Sequence, residues 1–579
     1  MTDQKNLIIA IAISIAILLG FQFFVQKPQQ EAARQAQQQS NPAANPSGDP
    51  RAPVDARPPA APGVPAATPA VGAELSRDAA LARVPRVPID SARLKGSVSL
   101  RGGRVDDLTM KDYRETVAPG SPLIDLLSPS ETARPYFVQF GWVAGPDSRD
   151  VPMPKDDTLW QAEGAALTGD RPLTLVWDNG QGLVFRRRLA LDANFLMTVT
   201  DRVENTGTTP VTLLPYALTK RWPTPHTAGF YILHEGLIGV TDGVLREISY
   251  SSIKDSKLVE QQTTGGWLGF TDKYWLVSLI PDQGETVNSR FTWERRGTDD
   301  AYQADYLGQT RTVAPGAASE MTHRVFAGAK EVHLLDDYRD RLGIARFDRA
   351  IDFGWFYFLT KPIFYVIDYF YRWLGNFGLA ILLLTVLIKA AFFPLANKSY
   401  RSMSKLKLLQ PKMVELREKY GEDKQRLNQE MMQLYRKEGA NPASGCLPIL
   451  IQIPVFFALY KVLFVTIEMR HAPFYGWIRD LSAPDPTTLF NLFGLIPWTP
   501  PHILMIGAWP IIMGVTMFLQ QKLNPQPPDP IQAKVFMILP FLFTYLLAAF
   551  PAGLVIYWAW NNLLSILQQW IIMRRAGAA

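Results

Sequence analysis

A single cysteine, Cys446, stands in a chain of 579 residues. No internal disulfide can form, so the fold stands without covalent staples in whatever compartment its parts occupy. Histidine is nearly as scarce. His226, His234, His323, His333, His471 and His502 are scattered, and none falls into a metal-ligating spacing such as H-E-x-x-H. No metal and no cofactor is expected. There is no G-x-x-x-x-G-K-[ST] phosphate loop and no G-x-S-x-G nucleophile elbow. The apolar runs carry no Ser/His or Asp/Asp pair, which excludes an intramembrane protease. The chain is not expected to be an enzyme. Its net charge of +6 is modest for this length, so the placement of charge matters more than the sum.

What the chain has in abundance is apolar sequence, concentrated in its last third. The run 376–395 is long enough to cross a bilayer, since a span needs about 20 mostly apolar residues. It contains Lys389, and a lysine near the centre of a span costs roughly 2.5–3.5 kcal/mol on insertion scales. Thr385 lies one helical turn earlier on the same face. This pairing predicts a helix lining a wet, positively charged hollow. The alternative is that the long lysine stem snorkels to the headgroups.

Leu7–Val25, preceded by Lys5, is a first span; its apolar core is longer than the roughly 7–15 residues of a signal peptide. Residues 26–84, rich in Pro, Ala and Gln, cannot bury enough apolar surface to fold and form a linker. From Val84 to Val332 short alternating runs take over. Leu173–Trp177 and Leu183–Leu189 flank Asp178-Asn179-Gly180, a hairpin signature. Phe195 to Thr200 alternates before the turn Asn205-Thr206-Gly207, and Thr271–Ile280 reads as one strand. The pattern predicts a large all-β sandwich with a binding or spacing role; a sugar-binding or mutarotase-like sandwich stays open. Residues 331–350 read as helical. Ile351–Leu374 is crowded with aromatic rings and holds Lys361, Asp368 and Arg372. It reads as an interfacial helix that keeps those charges in water, with Asp368 and Arg372 as an i,i+4 pair.

The segment 398–439 carries eleven basic and six acidic residues, a net +5. By the positive-inside rule it is cytoplasmic. Leu406, Leu409, Met413, Leu416 and Tyr420 follow a coiled-coil seam, continued by Leu427, Met431 and Leu434 after a turn at Gly421. Lys405, Lys407, Lys412, Arg417 and Lys419 form a docking face for anionic lipid, ribosomal RNA or an emerging chain; the alternative is a solvated hairpin that only sets topology. Further apolar runs follow at Gly445–Val465, Ile503–Leu523, Val535–Phe550 and Leu554–Met573, giving six spans. An even count puts both termini, the loop Lys522–Lys534 and the hairpin on one side, and the β region on the other. Gln452, Thr516, Gln520, Thr544, Asn561, Asn562, Gln568 and Gln569 add polar groups to the spans. Each alone is explained as interhelical glue worth about 0.6 kcal/mol. Together with Lys389 they favour a hydrated hollow open to the cytoplasm.

The run Asn441-Pro442-Ala443-Ser444-Gly445-Cys446-Leu447-Pro448-Ile449-Leu450-Ile451-Gln452-Ile453-Pro454-Val455-Phe456 resembles the YidC insertase family, which also serves mitochondria and chloroplasts. So do Leu409-Gln410-Pro411-Lys412, Asp423-Lys424-Gln425-Arg426, Asp480-Leu481-Ser482 and Phe550-Pro551-Ala552-Gly553-Leu554. The order of parts is similar to the Gram-negative type. The resemblance implies a multi-pass α-helical protein of the bacterial inner membrane, with six spans, a cytoplasm-open hydrophilic groove, a periplasmic β sandwich and a cytoplasmic helical hairpin. It implies an insertase or chaperone for nascent membrane proteins, acting alone or with the Sec translocon (SecYEG and accessory subunits). The ribosome or signal recognition particle pathway components, and anionic lipids, are further expected partners.

The expected groove residues are Lys389, Thr385, Gln452, Gln520, Tyr557, Trp558 and Asn561. Lys389 stands where the family commonly has Arg, which keeps the charge and loses the planar fork. Trp558 stands where a Tyr is common, next to Tyr557. The ending Arg574-Arg575-Ala-Gly-Ala-Ala lacks the long basic tail of some relatives, so no tail tether to the ribosome is expected.

The chain thus divides into an N-terminal anchor (1–25), a linker (26–84), the β sandwich (85–335), a connecting and interfacial helix (336–375), a second span (376–397), the basic hairpin (398–440), spans three to six (441–573) and a short basic tail (574–579). Two rival readings remain at this stage. One is a solute transporter with Lys389 as an intramembrane anion site, disfavoured by the lack of an internal repeat. The other is a passive scaffold for helix assembly, which would tolerate loss of Lys389.

Overall fold

The computed structural model describes residues 74–575 apart from 230–232, 355, 422, 440–446, 499, 502–503 and 525–529. The expected first span at 7–25, most of the linker and Asn441 to Cys446 of the family motif lie outside the described residues. The linker is shorter than read from composition. Arg77–Ala82 forms a short helix capped by the Ser76 hydroxyl, and Arg77 pairs with Asp107 and, at 3.2 Å, with Asp125.

The β region is two antiparallel sheets, one of ten strands and one of nine among the described residues. The larger runs from Arg86–Asp90 at one edge to Leu258–Thr264 at the other; the smaller runs from Val244–Ser249 to Gln161–Glu163. Period-two alternation explains why these segments pair. Leu183–Leu191 buries its odd-numbered positions, with Leu189 opposite Leu173 and Phe185 opposite Trp177. The turn between them is closed by Asn179, whose N–H donates to Leu183 O at 3.0 Å, and needs Gly180 at φ 68°. Thr271–Ile280 is not one strand. Trp267–Thr271 and Trp275–Pro281 form a hairpin whose turn includes Asp272, which Arg221 holds at 2.9 Å.

Between the sheets a polar network is sealed. Arg187, 1% exposed, donates to Asp201 at 2.7 Å and to the carbonyls of Gly103 and Phe140 at 2.9 and 2.7 Å. His323 is fully buried against Tyr306, and burial pulls its imidazole down to about 4, so it is neutral at physiological pH.

Helix α1 (Val332–Leu342) leaves the sandwich, and α2 (Tyr357–Leu374) packs against it. The aromatic helix does not hold all its charges in water. Lys361 is 8% exposed, with its ammonium 2.5 Å from Asp336 of α1 and 2.9 Å from Asp348. Arg339 reaches the same two carboxylates at 3.0 and 3.2 Å, and the Tyr365 and Tyr357 hydroxyls donate to them. Asp368 is buried too, paired with Arg372 at 2.9 Å; only Arg372 projects into solvent.

Helix α3 (Phe377–Ala391) starts at an Asn376 cap and bends by 67° at Phe392 into α4 (Phe393–Tyr420). Helix α5 (Lys424–Lys437) returns along α4, with Leu406, Met413, Leu416, Leu427, Met431 and Leu434 half-buried in the seam and Leu409 fully buried. Among the described residues four more α-helices follow: α6 (Leu447–Val465), α7 (Ala508–Leu523), α8 (Pro530–Leu547) and α9 (Ala552–Arg575). The α7 helix begins later than the apolar run from Ile503, because Asp485 and Thr487 accept the first N–H groups, those of Trp509 at 2.9 Å and Ala508 at 3.0 Å. Among the described residues no single helix is long and apolar enough to cross a membrane; the bent pair α3 and α4 passes that test together. Among the described residues the largest cluster of buried apolar side chains runs from Phe326 and Tyr338 through Phe364 to Ile381, Leu459 and Tyr557, with smaller ones around Trp222 and around Met513.

Candidate functional site

Lys389 lies in the last turn of α3, just before the bend. Helix α9 is held against α3 by Trp560, whose indole N–H donates to Leu382 O at 3.2 Å. One turn further along α9, the Ser565 hydroxyl donates to Asn561 O at 2.8 Å and accepts from the Lys389 ammonium at 2.8 Å. No carboxylate pairs with Lys389 among the described residues. Its remaining donors face a hollow of about 40 Å³, lined also by Phe392, Leu395, Tyr400, Gln452 and Gln568. The bend at Phe392 carries α4 away from the α3 axis, and Tyr400 of α4 lies beside Ser565, with a side-chain hydrogen bond between them. This volume has room for about one water, and the polar walls give it partners. Three buried amide atoms on α9 lack a partner among the described residues: Asn561 Oδ1, Gln568 Nε2 and Gln569 Oε1. Such groups call for water or a polar guest.

The expected groove residues divide. Gln452 lines the hollow and donates from Nε2 to the Tyr557 hydroxyl at 3.1 Å; Tyr557 is 1% exposed. Asn561 joins Lys389 through Ser565. Trp558 packs on apolar rings, 4.6 Å from Phe456. Thr385 is buried and spends its hydroxyl on Ile381 O of its own helix at 2.7 Å, so it does not reach the hollow. Gln520 sits half-buried on α7, away from the lining. Ser565 and Tyr400 were missed. A serine within an apolar helix carries no signal of its own, although its position four residues after Asn561 places it on the same face.

On the hairpin, Lys405, Arg417 and Lys419 are exposed and Lys407 is half-buried. Lys412 pairs with Glu438, the residue that ends α5, at 3.0 Å. Lys405, Lys412, Arg417 and Lys419 are exposed on α4 alongside Glu415 and Glu418.

Two family models match this chain, the YidC periplasmic domain over residues 86–366 and the 60Kd inner membrane protein over residues 369–578. Together with the fold they define an inner-membrane protein with a periplasmic β-rich domain and a helical C-terminal region. The chain belongs to the YidC membrane protein insertase family. It is 56% identical to the membrane protein insertase YidC of Methylobacterium nodulans, covering 99% of this chain and 96% of that one. It is 55% identical to that of Methylobacterium sp. strain 4-46, with the same coverage. A crystal structure of an active YidC insertase with its first transmembrane domain resolved is 17% identical, with a TM-score of 0.35, covering 84% of this chain and 94% of that one.

Proposed function

We propose that this chain is a membrane protein insertase that moves hydrophobic segments of nascent membrane proteins from the cytoplasm into the bilayer. The observation that carries the reading is Lys389: a cation without a carboxylate, tied to one hydroxyl, beside a polar hollow in an otherwise apolar bundle. A client's apolar segment gains about 25 cal/mol per Å² on leaving water, so the barrier is its polar flank. Lys389 lowers that barrier by attracting an acidic side chain of the flank. At its present volume the hollow holds about one water; admission of a client carboxylate, and passage of a whole flank, requires α3, α4 and α9 to part.

In this reading Leu7–Val25, α3, α6, α7, α8 and α9 are the six spans, and α2 lies in the interface. The α4–α5 hairpin and both termini are cytoplasmic. The hairpin's basic face, with Lys405, Lys407, Lys412, Arg417 and Lys419, meets anionic lipid, the ribosome or signal recognition particle pathway components, and the Sec translocon is a working partner. Gln452, Tyr557 and Asn561 hydrate the groove. Thr385, Gln520 and Trp558 lie outside the lining and act through helix packing rather than by contact with the charge.

The test is reconstitution. The purified full chain in liposomes, without ATP or other proteins, is expected to insert a short two-span client. No insertion above protein-free liposomes would contradict the reading and leave a scaffold acting beside another channel.

A further inference from the structure

A second hollow, about 460 Å³, opens where the β sandwich meets the loop leaving α6. Its walls include Asp112, Arg114 and Thr116 on one side and His471, Pro473 and Arg479 on the other. The one carboxylate here is already engaged, with Arg93 Nε 2.5 Å from Asp112. Arg114 spends one donor on Ser121 O at 2.5 Å. Arg479 is exposed and makes no hydrogen bond or ion pair among the described residues. The two walls are held together. Arg470 donates to the carbonyls of Arg114 and Glu115 at 2.6 and 3.1 Å, and its guanidinium lies 5.3 Å over the Trp275 ring. The His471 N–H donates to Asp480 at 3.1 Å.

The depth of this cleft follows from its neighbours. Pro473 O accepts from the side chain of Asn376, the residue that caps α3, at 3.3 Å. Helix α6 ends at Val465, shortly before His471. The cleft therefore sits at the ends of two apolar helices. Tyr475 and Trp477, in the same loop between Pro473 and Arg479, are 61 and 43% exposed, and such rings gather at headgroup level.

We propose that this cleft binds the phosphate of an anionic lipid headgroup in the leaflet that faces the β domain. The proposal rests on the reading of α3 and α6 as spans. Arg114 and Arg479 take the non-bridging phosphate oxygens through charge-assisted hydrogen bonds. The exposed rings lie against the glycerol and upper acyl region, a contact that free phosphate cannot use. The bound lipid then bridges the β domain and the helix ends.

Native mass spectrometry of the full chain in detergent, titrated with phosphatidylglycerol or phosphatidylcholine, tests it. The wild type is expected to hold phosphatidylglycerol more tightly. Arg479→Gln is expected to weaken that binding about fivefold, the size of one exposed charge contact, while Arg479→Lys keeps most of it. Inorganic phosphate and glycerophosphoglycerol at equal concentration are expected not to displace the lipid. Unchanged phosphatidylglycerol binding in Arg479→Gln, equal retention of the two lipids, or displacement by inorganic phosphate would each overturn the proposal. Arg479 is exposed and makes no hydrogen bond or ion pair among the described residues, so its loss is not expected to unfold the chain. Insertion by the wild type from the same preparation reads the insertase function separately: insertion without a phosphatidylglycerol preference sinks only the lipid site, and no insertion sinks the function whatever the lipid does.

Discussion

A lysine kept in an apolar helix at a cost of about 2.5–3.5 kcal/mol needs a reason that packing does not supply. At Lys389 the structure offers one hydroxyl and an open polar hollow, so most of the ammonium's hydrogen-bonding capacity is unspent. Lys389 was legible in the sequence because a charge interrupts an apolar run; Ser565 was not, because it is 176 positions away and chemically unremarkable. Glu468 is a second residue with a price. Its Oε1 accepts the Val332 N–H at 2.8 Å, while Oε2 is buried without a partner among the described residues. Burial pushes its carboxyl up to about 7 despite that hydrogen bond, and Glu331 and Asp368 add to the push. The neutral form is the one the fold prefers. Stability from this site is therefore complete below the ordinary value of 4.5 and is lost as pH rises through about 7. The midpoint of thermal unfolding is expected to fall between pH 5 and pH 8, and Glu468→Gln is expected to flatten that slope; an unchanged slope would remove Glu468 as its source.

At the level of elements, α2 is clamped to α1 by buried ions rather than floating beside it. Lys361 answers two carboxylates, Asp336 and Asp348, and their contacts outweigh burial in holding its ammonium above the ordinary lysine range. Lys361→Ala leaves both carboxylates buried with less compensation, at a cost of about 3 kcal/mol. Limited proteolysis between α1 and α2 is expected to accelerate in that variant, and wild-type protection would show that the apolar contacts suffice. The seam between α4 and α5 and the hairpin around Gly180 were legible because each rests on a local period. The burial of Lys361 was not, since the sequence does not say which face of an aromatic helix a neighbouring domain covers. The bend at Phe392 was equally hidden: Pro394 at the start of α4 permits a break, but its 67° depends on how α4 leaves the bundle. The split of 271–280 turns on Arg221 holding Asp272 from another strand, a contact no local pattern announces.

Among the described residues the β sandwich and the helical bundle share one large apolar cluster. The order of these parts was legible from composition and from the family motifs. The size of the hollow was not, because it depends on how α3, α4, α6 and α9 meet. The scarcity of cysteine makes the proposed topology directly measurable. In a Cys446→Ser background, Thr208→Cys in an exposed turn of the sandwich is expected to react with an impermeant maleimide in spheroplasts. Gln429→Cys in α5 is expected to react only after permeabilisation. The reverse pattern would invert the arrangement.

The central claim is that Lys389 works by charge on the client's flank. Its most direct test uses two clients that differ only in an acidic or a neutral outer loop, inserted by wild type and by Lys389→Leu in liposomes. The acidic client is expected to lose about tenfold in the variant, the scale of one charge-assisted hydrogen bond, while the neutral client changes little. Lys389→Arg should preserve both. Equal insertion of both clients by Lys389→Leu and wild type would contradict the account and leave Lys389 as a snorkelling side chain.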